Sequence, residues 1–226
     1  MLSLPQLVAT QSDYYQRWAD EYTAWIEDYM RPVRAELWDR LRKIPAIRGK
    51  VLELACGSGY FTELLSQVAS GGVVAFDGST RMLELLSQRR LAGVSKHLGD
   101  IFSWTPQPDD QFDCIFMAHW LSHVPPSHLA PFFAKLAQAL RPGGSVIIVD
   151  VTEEERRFEI SYRTERGIPI VERTLTGKEV IPIVKVYWDP ALLLSQLRAV
   201  GWDGTHARAG GDVERGFVVY ELRRDA

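Results

Sequence analysis

The segment Val51-Leu52-Glu53-Leu54-Ala55-Cys56-Gly57-Ser58-Gly59-Tyr60-Phe61-Thr62 sets an acid and two glycines where an apolar run gives way to a helical one. Such a turn aims backbone N–H groups and the positive end of a helix at a ligand. Glycine at 57 and 59 lets that ligand approach without meeting a Cβ atom. A second apolar run, Val73 to Phe76, ends in Asp77, where a carboxylate could grip both hydroxyls of a ribose. The third glycine of a dinucleotide fingerprint is replaced by Thr62. That change removes the close helix–pyrophosphate approach and leaves room for a nucleoside ligand that has no pyrophosphate.

Further candidates sit at the ends of the other apolar runs. Gly78 and Ser79 follow Asp77, Asp100 and Ile101 follow the run 94–98, and Ala118 closes the run 112–118. Met82 lies one helical turn into the next segment, where it could cover a base or simply fill core. A second group comprises Tyr29, His119, Trp120, His123, Arg173 and Lys185. These are donors and cations, suited to drawing a small anion from water and orienting it. Plainer roles stay open for each. Asp77 could be a helix cap, Asp100 a loop acid, His123 a core histidine, and Arg173 and Lys185 charges that blunt a sheet edge. His119 and His123 are four apart, but no third ligand completes a metal site, so no metal is expected.

The elements that must position these groups follow from periodicity. Tyr15, Trp18, Tyr22, Trp25 and Tyr29 recur at three or four and predict a helix over 11–30, with a second over 34–43 after Pro32. Strands are expected at 50–55, 72–77, 94–98, 112–118 and 144–151, with helices at 60–68, 79–91 and 127–140 between them. That alternation implies a parallel sheet with helices on both faces, and ligands then bind beyond the carboxyl ends of the strands. After Asp150 the rhythm breaks. The β-rich runs 168–175 and 180–188 around Thr176-Gly177 predict an antiparallel hairpin before a helix at 190–200, with Pro182 marking an edge strand. A last strand is expected at 216–222. A two-residue loop at Thr176-Gly177 would put Arg173 and Lys185 on opposite faces of the hairpin, whereas a three-residue loop or a bulge would put them on the same face.

Glu53-Leu-Ala-Cys-Gly-Ser-Gly59, Asp77, Gly99-Asp100-Ile101 and Leu140-Arg-Pro-Gly-Gly144, in that order, resemble the four motifs of the class I S-adenosylmethionine-dependent methyltransferases. The resemblance implies an α/β Rossmann-like fold with a seven-stranded, mostly parallel sheet, an N-terminal helical lid and an inserted β-hairpin. It implies one domain, divided as lid 1–45, cofactor core 50–151, hairpin insertion 152–188 and C-terminal helix and strands 189–226. It also implies S-adenosylmethionine as cofactor and S-adenosylhomocysteine as product, with Tyr14, Glu53, Ala55, Gly57, Gly59, Asp77, Gly78, Ser79, Met82, Asp100, Ile101 and Ala118 around the cofactor. Tyr14-Tyr15-Gln16-Arg17-Trp18-Ala19-Asp20-Glu21-Tyr22 resembles the lid of small members, except that Trp18 stands where their arginine meets the methionine carboxylate.

A longer pattern is similar to phosphonate O-methyltransferases. It includes Tyr29-Met30, Ala118-His119-Trp120-Leu121 with His123-Val124-Pro125, Val149-Asp150-Val151-Thr152, Arg173-Thr174-Leu175 and Ile183-Val184-Lys185-Val186. It implies a phosphonate held by Tyr29, His119, Arg173 and Lys185, with Trp120 alongside. The stretches 159–169 and 205–215 look less alike and could shape the pocket for another acid. Alternatives are a small-carboxylate or hydroxyl O-methyltransferase and a catalytically silent cofactor-binding protein.

Composition narrows the partners. The 226 residues carry 26 Lys plus Arg against 29 Asp plus Glu, a formal charge of -3, which offers no broad attraction to nucleic acid or an anionic membrane. A small anionic substrate must therefore be recognised by a local cluster. Two cysteines make no disulfide framework, no signal pattern opens the chain, and no apolar run approaches a membrane span, so a cytoplasmic location is expected.

Overall fold

Strands β1 (Val51–Leu54), β2 (Val73–Asp77), β3 (Val94–Leu98), β4 (Phe112–Ala118) and β5 (Leu140–Val151) pair in parallel, in the order β3-β2-β1-β4-β5. Their central members read as unbroken apolar runs because both faces are covered. Leu52, Leu54, Ile115, Met117 and Ile148 pack into one layer of core, and Val51, Cys114, Phe116, Ile147 and Val149 into the layer on the other side. The computed structural model describes residues 3–107, 109–175, 179–209 and 216–224. Among these, β9 (Trp202–Ala209) and β10 (Phe217–Arg224) complete a seven-stranded sheet, with β10 antiparallel between β5 and β9. The seven-stranded expectation implies a strand such as β9 in the C-terminal part, but no sequence pattern gave its range. Strand β9 is the edge, and its Asp203, Gly204, Thr205 and His206 lack the apolar alternation that marks a covered strand.

Helices α3 (Tyr60–Val68), α4 (Thr80–Gln88), α5 (Leu129–Ala139) and α6 (Pro190–Arg198) connect the strands. Two of them begin with side-chain caps: Ser79 accepts from the Met82 N–H and Asp189 from the Leu192 N–H. Helix α4 ends at Gln88 rather than 91, because Arg90 takes a left-handed φ of 52° and ends the helical run. Helix α1 is longer than its aromatic stripe predicts. It runs over Leu4–Met30, starting where the Ser3 N–H donates to Gln6 Oε1 at 2.7 Å, and α2 (Arg34–Arg42) follows.

The insertion is a three-stranded antiparallel sheet, β6 (Arg163–Glu165), β7 (Ile168–Thr174) and β8 (Val180–Val184), rather than a bare hairpin. Its β8 is an edge, as Pro182 predicts. The turn around Thr176-Gly177 lies outside the described residues, but the register on either side is set: Arg173 pairs with Ile181 and Ile170 with Val184. The Lys185 N–H continues it by donating to Pro169 O at 3.0 Å. Paired residues share a face and alternate residues return to it. Arg173 and Lys185 therefore lie on the same face, with Val171, Leu175, Ile181 and Ile183. Helix α1 packs its Tyr14 against the apolar members of that face.

Candidate active site

Strand order reverses between β1 and β4, and a cavity of about 420 Å³ opens there beyond the carboxyl ends of the strands. Two residues at this point, Ala55 and His119, have left-handed φ of 53° and 56°. Non-glycine residues in that region cost about 1–3 kcal/mol and gather at functional sites. Helix α1 roofs the cavity, presenting Tyr15, Trp18, Tyr22, Trp25 and Tyr29 at helical spacing. Trp25 stacks on Tyr29 at 4.7 Å, and Tyr29 meets the edge of His119 at 6.1 Å. The roof is held down at several points. Tyr15 OH is 3.0 Å from His123 Nε2, the Ser79 hydroxyl donates to Gln16 Oε1 at 2.7 Å, and Arg81 Nε donates to Asp20 Oδ1 at 2.9 Å.

At the β1–β2 end the cavity is lined by Ala55, Gly57, Asp77, Gly78, Ser79, Met82, Asp100, Ile101 and Ala118, together with Tyr14 of the roof. Asp77 receives the Gly57 N–H on Oδ2 and the Ser79 N–H on Oδ1, both at 2.8 Å. Burial pushes its pKa up, against the N–H bonds from Ser79, Gly57 and Gly78. Gly57 has φ +55°, and a Cβ there would meet the Tyr22 ring at 3.2 Å, so this glycine admits both the turn and the roof. Asp100 accepts from the Phe102 and Ser103 N–H groups, which leaves it an exposed turn acid at the cavity mouth.

Two residues expected around the cofactor do not reach the wall. Glu53 is 2% exposed and accepts the Thr62 hydroxyl at 2.6 Å, with burial pushing its pKa up to about 8. Thr62, at the position of the missing third glycine, thus serves the acid of the turn from below. Gly59 caps α3 with φ +90°, facing Leu86 and Arg89. Arg17 also points away, pairing on the exposed side of α1 with Asp13 and Glu179.

At the β4–β8 end the wall contains Tyr29, His119, Trp120, Arg173 and Lys185, so the register brings the expected cations and donors together. Lys185 is 9% exposed, and its Nζ donates to Ser122 Oγ at 2.9 Å. Burial, then the Arg173 charge, lower its pKa against the pull of Asp150, Glu159 and Glu155. Asp150 is buried behind it, accepting the Ser122 and Val151 N–H groups at 2.8 Å. His119 Nε2 is buried with no hydrogen-bond partner among the described residues, and burial lowers its pKa to about 4. His123 is structural. Its Nδ1–H donates to Val184 O at 2.7 Å, so Nε2 is the acceptor for Tyr15, and burial holds the ring neutral.

Among the wall residues that the sequence reading did not single out are Glu155, Glu159 and Tyr187. Glu159 takes both arms of the Arg173 guanidinium, Nη1 at 2.8 Å from Oε2 and Nη2 on Oε1, and accepts Tyr187 OH at 2.8 Å. The signal for them was faint, since the run Glu153-Glu154-Glu155 with Glu159 reads as solvated charge. Among the described residues no group of three His, Cys, Asp or Glu could hold a metal, and no helix is long and apolar enough to cross a membrane.

A cavity at the reversal of strand order, with a ribose-type acid on β2 and a glycine turn after β1, defines a nucleoside-binding α/β protein of Rossmann-like architecture. Comparison with known proteins narrows this. Residues 51–144 match the model of a methyltransferase domain. The ubiquinone/menaquinone biosynthesis C-methyltransferase UbiE of Saccharophagus degradans is 32% identical over 180 residues, covering 73% of this chain and 72% of that protein. The trans-aconitate 2-methyltransferase of Methylobacterium nodulans is 32% identical over 132 residues, 58% of this chain. The chain spans only 48% of that relative's length. The solved DhpI-SAM-HEP complex is 38% identical, covers 99% of this chain and 100% of its own, and superposes with a TM-score of 0.84. The chain belongs to the class I S-adenosylmethionine-dependent methyltransferases, and it is similar over its whole length to DhpI.

The residues present fit that cofactor. Asp77 keeps unused lone pairs for ribose hydroxyls, Met82, Ile101 and Phe102 offer apolar surface for a base, and the Gly57 turn leaves space for the methionine end.

Proposed function

We infer that this methyltransferase acts on an oxygen of a small phosphonate, giving its monomethyl ester and S-adenosylhomocysteine. The observation that carries the reading is the placement of Lys185 and Arg173 on one face of the insertion, both at the cavity wall with Tyr29 and His119. S-adenosylmethionine supplies the electrophilic methyl group on a sulfonium. What the protein must do is hold the nucleophile in line and keep water out. An oxyanion is already nucleophilic, so it needs donors and cations rather than a base. The wall matches that need. Lys185 uses one of three donors on Ser122 and keeps two for an acid. His119, whose pKa burial lowers to about 4, is a neutral imidazole near neutral pH and can donate or accept a hydrogen bond at the acceptor. The α1 aromatics close the space over the reacting atoms.

Support also comes from the likeness to phosphonate O-methyltransferases, which extends through the insertion rather than stopping at the shared cofactor motifs. A second reading, a small carboxylate acceptor, is favoured by the relatives named trans-aconitate 2-methyltransferase. The test is methyl transfer from labelled cofactor to matched phosphonates, carboxylates and phenols, with esters identified by mass spectrometry. Phosphonate monomethyl esters are the expected product. Turnover confined to carboxylates selects the second reading, and turnover confined to phenols overturns both.

A further inference from the structure

The acceptor end of the cavity holds an ion pair that the phosphonate reading does not need. Arg173 is the more forked of the two cations, yet both of its arms are already engaged by Glu159. The Glu159 carboxylate presents to the guanidinium the same two-oxygen edge that a carboxylate or phosphonate acceptor would present. It also receives the Tyr187 hydroxyl, so it occupies three donors at the wall. All three residues line the cavity, and the pair is only partly exposed, at 28% and 19% of the two side chains. Glu159 is carried on an extended residue just after the 3₁₀ helix Glu153–Phe158, in a loop whose next residue, Ile160, is fully exposed.

We propose that Glu159 is an internal stand-in for the acceptor's acid group, which the acceptor displaces from Arg173 and Tyr187 on binding. This rests on the acidic-acceptor reading and makes Glu159 a threshold that every acid must overcome to reach Arg173. Only an acid that engages the guanidinium at least as well as a carboxylate can compete. A dianionic phosphonate, with three oxygens and a second charge, has the advantage over a singly charged carboxylate. Neutral acceptors leave the pair closed and gain nothing from Arg173.

The test compares wild type with Glu159→Gln, using methylphosphonate, acetate and 2-aminoethylphosphonate as binding probes in the presence of S-adenosylhomocysteine. Displacing a charge-assisted pair of this kind costs an acceptor about tenfold or more in affinity. Calorimetry should therefore show methylphosphonate and acetate each binding about tenfold tighter to Glu159→Gln, because the closed pair handicaps both by the same factor, and turnover should show the fall in KM. Unchanged S-adenosylhomocysteine affinity reports that the variant is folded. Weaker binding of both acids means Glu159 is a fixed support for Arg173, and overturns the proposal. Weaker binding only of 2-aminoethylphosphonate means Glu159 is a ligand for an ammonium group, and overturns it equally. A double variant, Glu159→Gln with Arg173→Gln, should lose the gain; if it keeps it, the competition is not for Arg173. Failure of every acid to accept a methyl group from either protein refutes the acidic-acceptor reading itself. Methyl transfer to acids with identical KM in the two proteins refutes only the displacement.

Discussion

Replacing Lys185 with methionine separates acceptor binding from every other property of the site. Lys185 is 9% exposed, and its ammonium has only neutral neighbours in direct contact, Ser122 Oγ at 2.9 Å and the Tyr187 ring at 5.7 Å, with no ion pair among the described residues. A hydrogen bond from a charged donor to the acceptor oxyanion is worth about 1.5–3 kcal/mol, which is about 10- to 150-fold in kcat/KM. That loss should fall on KM. The attacking oxygen loses negative charge as it meets the sulfonium, so Lys185 stabilises the bound anion at least as much as the transition state. Stability should hold or rise, because methionine keeps the stem's volume and removes a desolvated charge. The wild type should also lose acceptor affinity at alkaline pH, as the lowered pKa of Lys185 is passed below the usual 10.5, and the variant should lack that limb. Folding follows the same group with the opposite sign. Between the lowered pKa and 10.5 the unfolded chain holds the proton longer, so wild-type stability climbs with pH and the variant's does not. Initial rates over an acceptor series, with cofactor saturating, supply kcat and KM separately. A fall in kcat/KM of less than about threefold on phosphonates and carboxylates alike, under about 0.7 kcal/mol, would refute the clamp.

Four further outcomes follow from the same geometry. Asp77→Ala should weaken S-adenosylhomocysteine binding by about 10- to 100-fold, from lost hydroxyl bonds and the orphaned N–H groups of the turns it braces; calorimetry showing unchanged affinity would remove Asp77 from the site. His119 has a folded pKa of about 4 against 6.5 unfolded, so its contribution is present above 6.5 and is lost as pH falls towards 4. His119→Asn should thus flatten the acid side of the melting-temperature profile, leaving the slope due to His123, which is shifted the same way. Glu53, raised to about 8, acts in the reverse sense, its stability fading as pH rises from 4.5; Glu53→Gln should remove that decline in a thermal-melt series. Gly59→Ala should lower stability by about 1–2 kcal/mol through its φ of +90°, the Leu86 methyl being able to move aside; chemical denaturation with no loss would show that the turn relaxes.

The cofactor half was legible because its signals are local. An unbroken apolar run, a Gly-x-Gly turn and an acid at the next strand's end are each set by backbone sterics and burial within a few residues. Ala55, Gly57, Asp77 and Ser79 accordingly meet at one cavity wall as their spacing suggests. Even there, Glu53 and Gly59 lie behind the wall, since a motif says which residues build a turn but not which of them face the ligand. Strand β9 was hidden for a related reason. An edge strand needs apolar side chains on too little of its surface to show a period.

The acceptor half depended on long-range placement. Both faces of the hairpin were open to Arg173 and Lys185 until the pairing of Arg173 with Ile181 put them together. His123 became structural only through a carbonyl 61 residues away and a tyrosine 108 residues away. The partner of Arg173 lies 14 residues upstream in a stretch with no regular pattern. Periodicity orients side chains within an element, but charges pair according to how separate elements dock. The sequence alone therefore determined the fold and the cofactor, and the tertiary structure decided which cations share the cavity wall and which are already matched by the protein's own acids.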